Sequence, residues 1–523
     1  RRVRRLVRLR LGALARQGGV SRSEAVPDLE IGDDGLVAYS ATGYISAILI
    51  VIAVAIGQGA QPIVSYYNGA RRPDLIEKVL DDDNIEKALE QVVANRGAPG
   101  VDGMTVIELL ANKDSLKAAI SAAIREGKYR PKPVKRVEIP KPDGGVRKLG
   151  IPTVQDRLVQ QMIAQVLIPI FDPTFSDSSY GFRPGRGAHD AIRAVRDLYD
   201  DGFIVVVSID LSKYFDTIPQ DKLLNMLRKT IKDDTLIELI KRFLKSGVAM
   251  PDGLVGPTLE GSPQGGPLSP LLSNIYLDRF DKEMERRGLH FVRYADDANI
   301  YVRSERAAER VMESASSFLE DVLKLKVNRD KSKIGSPMEL KYLGFRLDED
   351  AQGNTIVVPH EKSIQRFNNR QKEILRRNRG DSLDTILKEW KQYAKGWMAY
   401  FGTGPYTLYQ ELDGHARRRV RAILMRQWKT PKNRLRQLRR IGNLPFDSKA
   451  LDRVRAIIYH KHLWRVAYHF INFILTNDKL QAETGMYYMT DDWTKVQARF
   501  SRSPLRNRTV GSVGGRQSTL SEF

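Results

Sequence analysis

Two stretches of the chain place carboxylates directly after short apolar runs. Residues 203–207 form a continuous apolar run, which is typical of a buried strand, and Asp210 follows at its end. In HFVRYADDANIYVR, residues 290–303, one apolar-flanked strand reaches Asp296 and Asp297, and a second strand leaves at once. The pattern predicts a β-hairpin with two adjacent carboxylates at its tip, and an acidic β-turn is the alternative explanation.

Helical spacing of apolar residues occurs on both sides of these strands. Residues 84–106 carry a periodic helix that breaks at Gly-Ala-Pro-Gly, and 363–379 and 390–402 are also helical in pattern. Residues 415–440 contain eleven Lys or Arg and no acid, with apolar positions on one face. A basic helix can be merely solvated, but so one-sided a charge favours RNA binding.

Composition supports a nucleic-acid-binding protein. There are 85 Lys plus Arg against 63 Asp plus Glu, which gives a net charge of +22. Such a surface attracts phosphate backbones. The absence of cysteine excludes disulfides, cysteine-bound zinc and a thiol nucleophile. His460 and His462 are the only close histidine pair, and without further ligands nearby we do not expect a metal there.

Asp210, Asp296 and Asp297 together predict a metal site. Adjacent carboxylates repel each other and need a cation, and Mg²⁺ prefers carboxylate oxygens. Phosphoryl transfer by two metal ions uses carboxylates from neighbouring strands. We therefore expect two Mg²⁺ ions, one activating a 3′-hydroxyl and the other stabilising the leaving pyrophosphate.

The sequence resembles the bacterial group II intron reverse transcriptases, also called intron-encoded maturases, from about Leu75 to about Thr476. YADD matches the catalytic box of that family, and several ordered motifs accompany it. These motifs are IPKPDGGVRKLGIPTVQDRLVQQ at 139–161, SSYGFRPGRGAHDAI at 178–192, IDLSKYFD at 209–216, GSPQGGPLSPLLSNI at 261–275, YADD at 294–297 and KYLGF at 341–345.

The resemblance implies further site residues around the nucleotide. Lys141 and Arg147 flank a PDGG turn and would close over the triphosphate, although a solvated basic hairpin is the alternative. Phe215 would lie beside the sugar and exclude a ribose 2′-hydroxyl. Gln264, in a Pro-Gln-Gly-Gly turn, would contact the incoming nucleotide and the template base.

Three other segments take roles from the same resemblance. Lys331 would be the acid for the pyrophosphate, with Lys333 as its nearest competitor. The KYLGF motif would be the primer-contacting hairpin. Residues 84–106 would be an extension whose loop grips template RNA, and a helix and loop that only pack on the fingers fit equally well.

The expected fold class is an α+β right-hand polymerase with fingers, a palm built on an antiparallel sheet, an α-helical thumb and a helical maturase domain. We predict the N-terminal extension and fingers at 73–200, the palm at 201–355 and the thumb and maturase domain at 356–480. In the maturase region we expect RNA contacts from Arg417, Arg418, Arg421, Lys429, Arg434 and Arg436.

The two ends differ from the family. Residues 1–72 are foreign to it, and AIGQGAQPIVSYYNGA resembles a segment of MATE-type efflux transporters, which suggests a fusion. The apolar run 45–57 is shorter than a membrane span, so we expect no stable membrane association. We predict a basic, disordered tail at 481–523 and no endonuclease domain.

The expected function is copying of RNA into DNA from a primer 3′-hydroxyl, together with maturase assistance in intron splicing and mobility. The expected partners are group II intron RNA, an RNA template with a DNA primer, a DNA target site and dNTPs, in the bacterial cytoplasm. Alternatives are a domesticated or defence-associated reverse transcriptase, which would act on another RNA, and a splicing-only RNA-binding maturase. The intact carboxylate set argues against the splicing-only alternative.

Overall fold

The structure is a computed structural model of the chain that describes residues 75–140, 145–250, 255–256, 258, 260–443, 449–458 and 467–502. The transporter-like segment, Lys141, the histidine pair at 460 and 462, and residues 503–523 lie outside the described residues.

The part of the chain up to residue 302 contains both helices and strands. In chain order these elements are α1 (Leu75–Val79), α2 (Asp82–Ala94), α3 (Val106–Ala111), α4 (Lys113–Arg125), β1 (Val134–Pro140), β2 (Val146–Ile151), α5 (Val154–Phe171), α6 (Ala188–Asp200), β3 (Val205–Ile209), α7 (Tyr214–Thr217), α8 (Gln220–Thr230), α9 (Asp234–Leu244), β4 (Val248–Ala249), β5 (Val255–Gly256), α10 (Ser269–Arg286), β6 (His290–Tyr294) and β7 (Asp297–Val302).

The remaining elements are mainly helical. They are α11 (Glu305–Ser317), β8 (Lys333–Gly335), β9 (Phe345–Glu349), β10 (Thr355–Pro359), α12 (Glu361–Ile374), α13 (Leu383–Phe401), α14 (Tyr406–Gln427), α15 (Pro431–Gly442), α16 (Lys449–Ile458), α17 (Ala467–Ile474), α18 (Asn477–Thr484) and α19 (Trp493–Arg502).

An antiparallel sheet carries the predicted carboxylates. Its strand order is β6-β7-β3-β8, so the predicted hairpin pairs directly with the predicted buried strand β3. β3 is apolar on both faces because α6 and α11 cover the sheet. Val206 and Val292 share one core with Ile192 and Val195 of α6. The mixed α+β fold with an antiparallel sheet is confirmed.

A second sheet lies earlier in the chain, with the order β2-β1-β4-β5. β1 and β2 form an antiparallel hairpin, and β1 pairs in parallel with β4. The helix predicted within 84–106 is α2, whose apolar stripe packs on α5. Asp81 caps α2 by accepting hydrogen bonds from the N–H groups of Asp83 and Asn84.

The C-terminal helices form one aromatic-rich core together with the central sheet. Phe367, Trp390 and Trp397 are almost completely buried there, and the Phe367 and Trp397 rings lie 4.4 Å apart. The helical pattern predicted for 363–379 ends earlier, at Ile374, whereas the pattern at 390–402 belongs to the longer helix α13.

The prediction of a disordered tail is wrong for residues 481–502. Met486 and Met489 are buried in the C-terminal core, and α19 continues to Arg502. The indole N–H of Trp390 donates a hydrogen bond to the Tyr487 carbonyl oxygen at 3.0 Å. The prediction extended the Ser-, Arg- and Gly-rich composition of 499–523 to a segment whose apolar residues Met486, Met489 and Val496 pack into the C-terminal core.

Among the residues that the structure describes, no helix combines the length and apolar character needed to cross a membrane.

Candidate active site

Asp210 lies immediately beyond β3, at the edge of the sheet where the hairpin turns. The register of β3 and β7 pairs Ile209 with Ala298, so Asp210 and Asp297 continue two neighbouring strands at the same edge. The N–H of Asp210 donates to the Ser332 hydroxyl at 3.1 Å, and its carbonyl oxygen accepts from the Asn328 N–H at 2.8 Å. The loop before β8 therefore fixes the backbone of Asp210 through two hydrogen bonds.

The hairpin turn is tight and conformationally unusual. Tyr294 pairs with Asp297, so Ala295 and Asp296 form the tip. Ala295 has φ +58°, the left-handed region that costs a residue with a β-carbon about 1 kcal/mol or more. Gly181 packs against this tip so closely that a β-carbon there would lie 2.3 Å from the Ala295 nitrogen.

The electrostatics of the three carboxylates are those of a cation site. Burial, followed by repulsion from Asp296 and Asp210, raises the pKa of Asp297 to about 7. The Asp297 side chain is also exposed to solvent, which screens part of this repulsion. Burial is likewise the main cause that raises the pKa of Asp296, and Asp210 adds to it. Accumulated negative charge is relieved by a proton or by a cation.

The donor atoms fit a hard divalent cation, because all three predicted ligands offer carboxylate oxygens. The structure brings them to one edge of the sheet. Among the described residues, however, no group of three or more His, Cys, Asp or Glu side chains is close enough to hold a metal ion. Strand pairing therefore places the three aspartates at the same edge of the sheet, but their carboxylate groups are not clustered closely enough to share one ion.

A glycine-rich turn joins the predicted nucleotide residues. Gly261 has φ +83°, and a β-carbon there would lie 2.5 Å from the carbonyl oxygen of Phe215. That same oxygen accepts a hydrogen bond from the Ser262 N–H at 2.7 Å. Further along the turn, the carbonyl oxygen of Gln264 accepts from the Gly150 N–H at 2.7 Å. The turn therefore links β2 to α7 and brings Phe215 and Gln264 into one region.

The predicted cations differ in their placement. Arg147 is exposed on β2, and its charge lowers the pKa of Asp296 against the larger effect of burial. Lys331 is exposed on the loop before β8, next to the Ser332 that bonds Asp210. Its competitor Lys333 opens β8 and pairs with Ser208.

Lys341 is a neighbour of the carboxylates that the sequence motifs do not assign to the site. Partial burial, followed by repulsion from Arg366 and Lys362, lowers the pKa of Lys341, and the negative charge of Asp297 opposes the shift. The only sequence signal was its position at the start of the KYLGF motif. Its charge acts on Asp297 although 44 positions separate them, which no local pattern indicates.

The residues predicted to contact RNA lie on α14, on α15 and between them. Arg418, Lys429 and Arg436 are exposed. The half-buried Arg417 guanidinium lies 5.2 Å from the Tyr488 ring centre, and half-buried Arg434 donates to the Met425 carbonyl oxygen at 2.6 Å.

Arg421 requires a correction. It is 4% exposed and donates hydrogen bonds to the Leu475 carbonyl oxygen and to Asn477, each at 2.9 Å. It therefore joins α14 to the start of α18 rather than facing RNA from the surface. The alternation of arginines and apolar residues along α14 could not reveal which arginine turns inward.

Comparison with known proteins finds one family match over the sheet that carries the aspartates and another over the basic helices. The model described as reverse transcriptase (RNA-dependent DNA polymerase) matches residues 139–347. The model described as group II intron, maturase-specific domain, matches residues 364–442. The first match includes Asp210, Asp296 and Asp297, and the second includes the basic helices α14 and α15.

Individual relatives agree with the family models. The chain is 34% identical over 321 residues to Protein YkfC of Escherichia coli (strain K12), covering 52% of this chain and 82% of that protein. It is 38% identical over 172 residues to the group II intron-encoded protein LtrA of Lactococcus lactis subsp. cremoris, covering 33% of this chain but only 28% of LtrA. One chain of a solved partial Cas6-RT-Cas1–Cas2 complex aligns at 25% identity over 48% of this chain and 43% of that chain. The TM-score of this alignment is 0.32, which is too low to indicate a shared overall fold.

Proposed function

We propose that this chain, which belongs to the reverse transcriptase family and carries a group II intron maturase-specific domain, polymerises DNA at the edge of the sheet where β3 ends at Asp210 and the hairpin turns at Asp296 and Asp297. Membership makes the protein an RNA-directed DNA polymerase with a maturase domain. The site assignment rests on one observation, the β3–β7 register that continues into Asp210 and Asp297.

The proposed metal site consists of these three aspartates. Reverse transcriptases generally use divalent metal ions, and we propose two Mg²⁺ ions here. When bound, the ions would lower the pKa of the primer 3′-hydroxyl and neutralise charge on the departing pyrophosphate. The support from this chain is that burial, with carboxylate repulsion adding to it, raises the pKa of both Asp296 and Asp297.

The neighbouring side chains would bind and orient the nucleotide. Arg147, with Lys141, would pair with triphosphate oxygens, since a guanidinium binds phosphate bidentately. Phe215 would exclude a ribose 2′-hydroxyl, and Gln264 would contact the nascent base pair. Lys331 would donate a proton to the pyrophosphate, and Lys333 is the alternative donor.

The proposed substrates are an RNA template, a DNA primer and dNTPs. Purified protein is tested by primer extension on an RNA template with Mg²⁺, beside Asp296→Ala. Extension that disappears in Asp296→Ala while primer–template binding persists would support the assignment. Full extension by Asp296→Ala would overturn it. A folded wild-type protein without extension would point instead to a splicing-only maturase.

The second proposed activity is assistance in splicing and mobility of the parent group II intron, with the intron RNA and a DNA target site as partners. The match of the maturase-specific domain to α12–α15 supports this assignment. Replacing Asp296 and Asp297 together by Ala should abolish polymerisation and leave splicing assistance largely intact. Loss of both activities in a folded protein would contradict separable functions. Binding to unrelated RNA as tightly as to intron RNA would favour a domesticated or defence-associated enzyme.

We also propose that the protein works in the bacterial cytoplasm without stable membrane association. The proposal is supported by the apolar run 45–57, which is too short to span a membrane. Membrane fractionation of the chain with and without residues 1–72 tests it. Equal recovery in the soluble fraction and equal extension are expected, and membrane recovery that depends on 1–72 would contradict it.

A further inference from the structure

Arg293 of β6 is a fully buried arginine with four side-chain hydrogen bonds. Its Nε and one terminal nitrogen donate to the two carboxylate oxygens of Asp281 at 2.7 and 2.6 Å, and neither side chain has any exposed surface. Buried ion pairs stabilise a fold little compared with apolar residues of similar volume. The pair is therefore better explained by what it holds in place than by stability alone.

The other terminal nitrogen of Arg293 reaches the strained tip of the hairpin. It donates to the Ala295 carbonyl oxygen at 2.8 Å and to the Asn274 side-chain oxygen at 3.0 Å. Asn274 in turn donates to the Gly181 carbonyl oxygen at 2.8 Å. Gly181 is the residue whose backbone packs on the Ala295 nitrogen. Ala295 is therefore restrained on both sides, by packing of Gly181 against its nitrogen and by the hydrogen bond from Arg293 to its carbonyl oxygen.

The backbone of Arg293 is tied to the same segment. Its N–H donates to the Ser178 carbonyl oxygen, and its carbonyl oxygen accepts from the Tyr180 N–H, each at 2.8 Å. Three parts of the chain therefore converge on Arg293: the 178–181 segment, α10 through Asn274 and Asp281, and the hairpin itself. A strained residue persists only where its surroundings over-determine its conformation, as they do here.

We propose that Arg293 is a positioning residue for polymerisation: by holding the Ala295 carbonyl, it sets the direction in which Asp296 and Asp297 leave the turn. The inference rests on the proposed catalytic role of these aspartates. Asp281 orients the guanidinium, and Asn274 couples it to the Gly181 backbone. All three side chains are fully buried, so their effect passes through the backbone of the turn.

Arg293→Lys tests the proposal. Lysine keeps the positive charge, but a single ammonium cannot bridge two carboxylate oxygens and the Ala295 carbonyl in the same fixed plane. Misplacing reacting groups by about 1 Å costs about 100-fold in rate. We expect kcat for single-nucleotide extension to fall about 100-fold, with KM for dNTP and primer–template affinity changed less than about threefold.

A second readout does not depend on turnover. Binding of Mn²⁺ to the free protein, followed by electron paramagnetic resonance, should weaken at least about tenfold in Arg293→Lys, because the turn that carries Asp296 and Asp297 would lose its fixed conformation. Asn274→Ala is the second variant if Arg293→Lys fails to fold. It leaves the ion pair with Asp281 intact but removes the link to Gly181, and it should show the same split between kcat and KM.

Asp413→Asn is the matched control. Asp413 is also a fully buried carboxylate on a helix, but it accepts hydrogen bonds from the N–H groups of Met489 and Thr490, each at 3.0 Å, away from the hairpin. At a temperature well below the unfolding midpoint of each variant, the extension rate of Asp413→Asn should lie within about threefold of the wild-type rate.

The outcomes separate this inference from the proposed function. If Asp296→Ala abolishes extension but Arg293→Lys and Asn274→Ala keep their kcat, the positioning role is wrong and the catalytic assignment stands. An equal loss of kcat in Asp413→Asn would reduce Arg293 to a general stability role. If Asp296→Ala extends normally, the proposed function itself fails.

Discussion

At the scale of single residues, burial of Asp278 on α10 should lower the stability of the folded protein when this carboxylate is charged. Its side chain is 21% exposed, the Lys282 amine is 4.0 Å away, and one carboxylate oxygen has no hydrogen-bond partner. Burial, with Asp281 adding repulsion, raises the pKa of Asp278 to about 6. Because the folded protein binds this proton more tightly than the unfolded chain, the stabilising contribution is complete below about pH 4 and is lost as the pH rises through 6.

Asp278→Asn should therefore stabilise the protein at pH 8, where the wild type must bury a charge. We expect an increase of about 1–3 kcal/mol in the free energy of unfolding, from a shift of about two pKa units. The gain should shrink to about a third of that size at pH 4.5, where the unfolded chain begins to bind the same proton. Urea unfolding at both pH values measures this, with exposed Asp321→Asn as the control for removing a charge. A gain of the same size at both pH values would contradict the prediction.

At the scale of elements, the contact between the 178–181 segment and the hairpin tip depends on a missing side chain. Gly181→Ala would place a β-carbon 2.3 Å from a backbone nitrogen, which cannot move without displacing Asp296. We expect extension to fall more than about tenfold and the urea midpoint to drop. Gly187→Ala is the matched control in the same loop between α5 and α6, since its β-carbon would meet Asp190 at an ordinary 3.7 Å. Equal activity in the two variants would show that the close approach does not matter.

The basic helices α14 and α15 allow a different test. Arg418, Lys429 and Arg436 are exposed, so replacing all three by Gln should weaken binding of intron RNA. Because exposed charges contribute little to stability, the unfolding midpoint should change little. Each lost phosphate contact reduces the slope of log affinity against log salt by about 0.7, so the slope should fall by about 2. Filter binding over a salt series measures it. The control replaces the exposed Arg306, Arg310 and Lys324, and the same slope change there would contradict specific contacts by α14 and α15.

At the scale of the whole molecule, residues 486–502 belong to the folded protein. Met486 and Met489 are almost completely buried, and Gln497 donates to the Gly402 carbonyl oxygen at 3.0 Å. Truncation after Gly485 should lower the unfolding free energy by more than about 5 kcal/mol, since each buried large side chain contributes about 2–3 kcal/mol. Truncation after Arg502 is the comparison and should keep these contacts. Calorimetric midpoints that agree between the two truncations would contradict this account.

The sequence by itself determined the elements and the chemistry of the site. The apolar run before Asp210 and the hairpin around Asp296 and Asp297 predicted strands, and the structure places them side by side. Those predictions succeeded because apolar periodicity and turn position are local properties of the chain. The basic, helical character of 415–440 was equally readable, and this stretch lies on α14 and α15.

Only the tertiary structure decided which polar side chains turn inward. Arg293 meets Asp281 twelve positions earlier and Asn274 nineteen positions earlier, and Arg421 meets Leu475 fifty-four positions later. The left-handed conformation of Ala295 likewise depends on Gly181, which lies on another segment. Burial and hydrogen-bond partners come from residues distant in the chain, so local patterns can name the candidates for a site but cannot say how they are held.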